Sequence, residues 1–591
     1  MKLYIKGLLI TGLLASAACT DLDTDINTRY EQLPDNPIVI EGSFNGCYRY
    51  LHGWFGRDFH EGVVFQGDEC MGCNYGMGSY WDDGRYFDAS VHSLTLNNWR
   101  CKAGIDGAMA GCTYTNDIIA QFGGPHFNDP IVAPLRAIRA FYHFWMMEVY
   151  GDCPLMDHVT DEGEILDRTP RAEIAKFIES ELVEILHQEG GLSKANDAST
   201  YGRPNYWMAT ALLAKLYLNW GVYTNDITTV DFNTPNPKLN ECVALCDELM
   251  QCGLFEIGTG YRKKFFPDNG VQIKDFIYAL DVDPEGKSDG SNTFYRWFGF
   301  KKYSLVRPYI MGWDIPTSLA GQTVLTKEAV ARFTLPGDER NQIIEQGLQY
   351  QYDANYNRTD IPVYLYVDPA RENTKLFQLE YIADFDFEDA SLYNLGDEGL
   401  PKASASTRKD GTALMNIRKG ARLFKFPPRA VDFTLWNRQQ ANDYPIFRLA
   451  DIILMKAECI MRGATPTNGD TPESLINQVR ACSSAPAVNI AEEGKNAAPG
   501  LSPLAQVILD ERSRELIFEP WRRNDLIRFG QFEADWGQKN KYKVWDNDDH
   551  TKFHWVDREG VKDPNRRLMP IHIETLQANP TWSQNPGYEG L

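Results

Sequence analysis

Between Tyr444 and Gly530 apolar residues recur at helical spacing. In YPIFRLADIILMKAECIMRG, Phe447, Ala450, Leu454, Ala457 and Met461 fall three or four apart, which puts them on one face of a helix and predicts that the face is buried. Thr471 precedes Pro472 and Ser502 precedes Pro503. Each pair sets a capping hydroxyl ahead of a proline in the first helical turn, so two further helices are predicted there. Ala450, Ala457 and Ala505 are small enough for close antiparallel pairing, as in stacked helical repeats. The same period runs from Trp99 to Phe122, and more strongly from Ala133 to Val149 ahead of Gly151. Thr169-Pro170 predicts a cap for a helix with Ile174, Phe177, Ile178, Ile185 and Leu186 facing inward. Asn205 predicts the start of another, burying Trp207, Ala211, Ala214 and Leu218, and Cys242–Met250 forms one more before Gly253.

The period fails twice. Between Arg57 and Ser90 the chain is rich in Gly, Asp, Asn and aromatic residues, which predicts a long surface loop carrying Tyr75, Tyr80, Trp81 and Tyr86. Between about Phe255 and Ala441, short β-rich pieces such as FIYALDV and VYLYV alternate with turn-forming clusters. So long an irregular insertion is usually functional. It contains NTFYRWFGFKKYSLVRPYIMGWDIP, in which Tyr295, Trp297, Tyr309 and Trp313 are separated by Arg296, Lys301 and Arg307. Exposed aromatic rings among amides and carboxylates suit carbohydrate: the C–H face of a pyranose lies against a ring while its hydroxyls need hydrogen-bond partners.

Composition narrows the choices. The 591 residues are 43% hydrophobic and 12% aromatic, which supplies a large core and excludes general disorder. A formal net charge of −22 opposes a nucleic-acid partner, although basic residues interleaved with aromatics would otherwise suit single strands. No GxSxG, HExxH or phosphate-cradling GxxxxGK[ST] motif occurs, and the ten histidines lack ligand spacing, so no catalytic residue, cofactor or metal site is assigned. Two carboxylates at glycosidase spacing could still arise among the 81 acidic residues. Glu511, Arg512, Arg514 and Glu515 interrupt one apolar stripe, followed by Glu519, Arg522, Arg523, Asp525 and Arg528. Matched forks and carboxylates on adjacent turns predict a structural ion-pair lattice.

MKLYIKGLLITGLLASAAC is two lysines, an apolar run and small residues ending at Cys19: an export signal too short to span a bilayer. Its end is similar to a bacterial lipobox, which implies cleavage before Cys19 and lipidation there. Asp21, Asp23 and Asp25 resemble an acidic tag for display at the cell exterior. Without Cys19, 11 of the 12 cysteines remain, so they cannot all pair within the chain. Cys70 and Cys73 form an isolated CxxC, and Cys242 and Cys246, one turn apart, read as core.

RLADIILMKAE, NQVR, ILDERSRELIFEPWRRNDLIRFG and LMPIHIETLQANPTWSQNPGY together resemble the carboxy-terminal half of the SusD/RagB family of outer-membrane lipoproteins, and Arg136, Arg139 and YGDCPL resemble its LRA…YGD.PL segment. Pro520 and Arg523 depart from the family pattern, where glycine and an aromatic are frequent. The resemblance implies a mainly α, tetratricopeptide-like helical-repeat scaffold with long irregular insertions and a few short strands. It implies residues 1–18 as signal peptide and 19–591 as one body: a helical half to about 255 with a loop at 57–98, an insertion at 256–441, and a helical region at 442–591. It further implies a surface protein that binds oligo- or polysaccharide without cleaving it, partnered by a SusC-like TonB-dependent outer-membrane transporter. Loop context and approximate family position together point to Asp68, Trp81, Asn98, Trp99, Arg100, Tyr295, Trp297 and Trp313 as glycan contacts. A peptide-binding relative of the same architecture and a secreted glycoside hydrolase are the competing readings.

Overall fold

The predicted helices join into one row. In a computed structural model, residues 36–588 are described apart from 56–58, 73–84, 124–126, 283–305, 308–311, 313–322, 367–372, 374, 384–417, 430–439, 535–540, 546–552 and 558–559. The chain separates into two units, Met1–Ser43 and Phe44–Leu591. Of the first, residues 37–43 are helical. In the second, α1 (Trp99–Phe122) packs on α2 (Ala133–Tyr150), α2 on α3 (Arg171–His187), α3 on α4 (Tyr206–Leu218) and α4 on α5 (Leu239–Gln251). The row then crosses the insertion: α5 packs on α6 (Leu449–Met461), and α6 on α7 (Pro472–Ala481) and α8 (Pro503–Leu516), before the short α9 (Arg522–Arg528). The fold is a helical-repeat scaffold, and the insertion is spliced into it without interrupting the stacking.

Local chemistry explains where the helices begin. Asn205 caps α4 by accepting from the Met208 N–H at 2.9 Å, Thr471 forms a reciprocal capping box with Ser474, and Ser502 accepts from the Ala505 N–H at 3.2 Å. Thr169 does not cap α3. It lies in a two-residue strand, and the Asp152 carboxylate accepts from the Arg171 N–H instead, at 2.8 Å. Close helix approach is set by glycine at Gly111 of α1, where a Cβ would lie 2.7 Å from the Tyr142 ring of α2. Ala450, Ala457 and Ala505 are fully buried in the second half of the row.

Two sequence expectations change. Phe447 is not on α6: it belongs to strand β7 (Tyr444–Arg448), which pairs antiparallel with β2 (Phe276–Leu280). Helix α6 is buried all round from Leu449 to Cys459, so a single apolar face understates it. The expected surface loop from Arg57 is also wrong in its first part. Residues 62–72 fold inward, ending in β1 (Cys70–Gly72), and Arg85–Ser90 is a short helix. Val63, Val64, Phe65 and Met71 fill the interior there, each stabilising the fold by about 1.5–3 kcal/mol as a fully buried apolar side chain.

Inside the row lies the ion-pair lattice. Arg448 meets Asp275 at 2.6 Å, Glu515 at 2.8 Å and Glu519 at 2.9 Å, and all four side chains are essentially inaccessible. Glu511 takes Arg340 at 2.7 Å, Arg514 at 2.7 Å and Arg480 at 2.8 Å. Glu458 takes Arg528 at 2.7 Å, and Asp451 takes Lys215 at 2.7 Å and Arg512 at 2.9 Å. An aromatic stack accompanies it: Trp521 lies 5.3 Å from Trp145 of α2 and 5.3 Å from Phe447 of β7. Cys101, Cys112, Cys153, Cys252, Cys459 and Cys482 are free thiols, as are Cys242 and Cys246, which are core residues, as read from their spacing. No helix among the described residues is long and apolar enough to cross a membrane.

Candidate functional site

The irregular segments are rooted on a two-stranded ribbon. Strand β1 pairs antiparallel with β4 (Thr323–Leu325) in the register Cys70↔Leu325, Met71↔Val324 and Gly72↔Thr323. The chain leaves Gly72 for the segment that carries Trp81, and it reaches Thr323 from the segment that carries Trp313. Both segments therefore attach to the same end of one ribbon. A third, with Tyr295 and Trp297, leaves β2 beyond Val282 and returns to β3 (Val306–Arg307), which pairs with β5 (Tyr364–Tyr366) and through it with β6 (Lys375–Gln378).

Below that end, Asp68 and Glu69 tie the ribbon to the scaffold. Asp68 accepts from Arg522 Nε at 2.6 Å and Nη2 at 2.8 Å and also pairs with Arg332, with 2% of its surface exposed. Glu69 accepts from the Ser513 hydroxyl at 2.9 Å and from the Phe518 N–H at 3.1 Å. Burial pushes its carboxyl up to about 7 against the pull of Arg522, and Asp68 adds to the rise. Phe518 has φ +64°, a left-handed conformation that costs a bulky residue roughly 1–3 kcal/mol. Donors on either side hold it: the Tyr444 hydroxyl to its carbonyl at 3.1 Å and Lys425 Nζ to the Ile517 carbonyl at 2.8 Å.

The second cluster opens α1. Asn98 is its N-cap, and its side chain accepts from the Arg100 N–H at 3.1 Å. Arg100 is buried, with its Cβ 3.5 Å from where a Cβ on Gly62 would be. Its guanidinium carbon lies 4.0 Å from the Trp99 ring centroid, a cation–π contact on one face of a ring that remains 36% exposed. Trp99 is thus presented outward and braced from behind. Lys102 and Glu574 form an exposed ion pair one helical turn on.

Of the eight contacts expected from sequence, the structure brings Asn98, Trp99 and Arg100 together, with Trp99 alone of them at the surface. Asp68, Asn98 and Arg100 are interior groups engaged in holding backbone and partner side chains. Trp81, Tyr295, Trp297 and Trp313 lie outside the described residues, as does Cys19. Two rings were not singled out from sequence. Tyr350 faces the Arg358 guanidinium at 4.8 Å, and Tyr364 faces Lys375 Nζ at 3.7 Å. Both belong to the insertion, and the alternation in VYLYV was the available signal for Tyr364. Two carboxylates at the centre of the ion-pair lattice, Glu511 and Glu458, are poor general acids. Burial raises Glu511 and Glu458, but Arg340, Arg514 and Arg480 around the first, and Arg528 and Arg462 around the second, outweigh it and hold both at about 2.

Comparisons with known proteins agree with the motifs. The SusD family model matches residues 393–588. Over 480 residues the chain is 23% identical to the starch-binding protein SusD of Bacteroides thetaiotaomicron, covering 77% of this chain and 72% of that one. A SusD superfamily protein from Parabacteroides distasonis superposes with a TM-score of 0.62 at 18% identity, covering 93% of this chain and 98% of that one. Surface glycan-binding protein A from Bacteroides thetaiotaomicron, solved in complex with laminarihexaose, superposes with a TM-score of 0.60 at 17% identity, covering 92% and 98%.

Proposed function

We propose that the chain, which matches the SusD family in its carboxy-terminal region and shares the fold of SusD superfamily structures, binds oligo- or polysaccharide at the cell surface and passes it uncleaved to a SusC-like TonB-dependent transporter. Lipid at Cys19 anchors it to the outer membrane, facing outward. The observation that carries this reading is the shared root of the aromatic segments: the Gly72↔Thr323 pairing starts the Trp81 and Trp313 segments side by side. The braced and exposed Trp99 supports it. So do the starch-binding relative and the structure that holds laminarihexaose. In this reading Trp81, Trp99, Tyr295, Trp297 and Trp313 stack on sugar rings. Asp68, Asn98 and Arg100 act from beneath, by fixing where those rings stand.

Calorimetry of the mature protein against laminarihexaose, a malto-oligosaccharide and a peptide library tests it. Binding to a glycan is expected, weakened several-fold in Trp99→Ala, since one stacked ring contributes about 0.5–1.5 kcal/mol. The melting temperature should be unchanged, and no new reducing ends should form on incubation with polysaccharide. Heat with peptides alone would replace the reading with the peptide-binding one, and new reducing ends with a hydrolase.

A further inference from the structure

At the far end of the β2–β7 ribbon, beyond the pair Tyr444↔Leu280, Asp443 closes the junction. Its backbone is fixed by Asn269, which donates from Nδ2 to the Asp443 carbonyl at 3.0 Å and accepts from the Asp443 N–H at 2.8 Å. Its carboxylate joins two other elements. One oxygen accepts from the Val282 N–H at 2.8 Å, where the chain leaves β2, and the other accepts from the Tyr201 hydroxyl at 2.6 Å, from the loop before α4. That loop lies flush on the strand end: Gly202, at φ +69°, has the Asp281 Cβ 2.6 Å from where its own would be.

We infer that Asp443, Tyr201 and the Val282 amide form a pH-responsive clasp that secures the exit from β2 and opens more readily as the medium rises from mildly acidic to neutral. The reason is the company the carboxylate keeps. Asp443 is 4% exposed, and the groups facing it are the Tyr201 phenol, the Val282 N–H and, as the charged one among the described residues, Asp281, which repels it. The lattice carboxylates, by contrast, each face a guanidinium or an ammonium. Burial therefore dominates and pushes Asp443 up to about 7, against an ordinary value of 3.8. A group that holds its proton in the closed form and loses it when hydrated favours opening as pH rises through the interval between those two values. Within the interval the opening equilibrium gains about tenfold per pH unit, and it flattens above neutrality.

Hydrogen exchange of the intact mature protein, followed by mass spectrometry on peptides spanning 276–283 and corrected for intrinsic exchange, tests this. Protection in the wild type should fall about tenfold per unit between pH 5 and 6.5. In Asp443→Asn, whose amide can still accept from Val282 and donate to Tyr201, protection should be independent of pH. Tyr201→Phe serves if that variant does not fold: without the phenol donor the carboxylate loses support, and the falling region should extend to higher pH. A flat wild-type profile, a slope retained in Asp443→Asn, or an unmoved profile in Tyr201→Phe would overturn the clasp. None of these readouts depends on glycan binding, so the clasp and the proposed function stand or fall separately.

Discussion

Arg448 shows how much of this protein rests on single buried charges. Its guanidinium serves Asp275, Glu515 and Glu519 at once, so Arg448→Met would take a partner from three buried carboxylates and leave Asp275 to Lys264, Glu515 to Arg340 and Glu519 to Lys425. Breaking a buried pair costs about 3–5 kcal/mol, and denaturant unfolding should show a loss of that size in this variant. The same lattice sets the acid limit. Glu511 and Glu458 sit at about 2 when folded and near 4.5 when unfolded, so their contribution is complete above pH 4.5 and disappears as pH falls toward 2. A thermal melt series should fall steeply across that window, and Glu511→Gln should flatten part of it. Residue-level expectations failed where a partner was remote. Nothing near Asp68 in the chain announces that Arg522, 454 residues on, will claim its carboxylate, so a residue in an aromatic-loop context turned out to be an internal tie.

Elements were legible where their signals are local. Asn205, Thr471 and Ser502 cap as read, because a cap is decided within three residues. Asn205→Ala should cost about 1 kcal/mol, measured as a lowered unfolding midpoint. Gly111→Ala should cost roughly 1–3 kcal/mol, because the added methyl meets the Tyr142 ring and helices α1 and α2 must part to admit it. The strand Tyr444–Arg448 was hidden because what makes it a strand is Phe276–Leu280, far back in the sequence. Its apolar residues continue the spacing of the helix that follows, so periodicity alone joined them to it.

Across the whole molecule, the helical body was recoverable from periodicity and family resemblance, whereas the candidate site was legible only as a set of aromatic residues. That the segments carrying Trp81 and Trp313 share a root depends on the β1–β4 register, a pairing between positions about 250 apart that no local pattern encodes. That register offers a way to separate support from contact. Asp68→Asn should weaken the root and lower stability and glycan affinity together, since it loosens the hold of Arg522 and Arg332 on the ribbon. Trp99→Ala should lower affinity alone, as read by calorimetry beside thermal melts.

The stacking of α5 on α6 also bears on how the chain acquires its shape. Cys242, Val243, Cys246 and Leu249 offer a greasy surface whose cover, Leu449–Met461, emerges only after residues 252–448 have been delivered. Until then the leading half is an unfinished stack with a sticky end. A newly synthesised molecule therefore passes through a stage in which self-association competes with completion, and it needs either dilution or a holding chaperone.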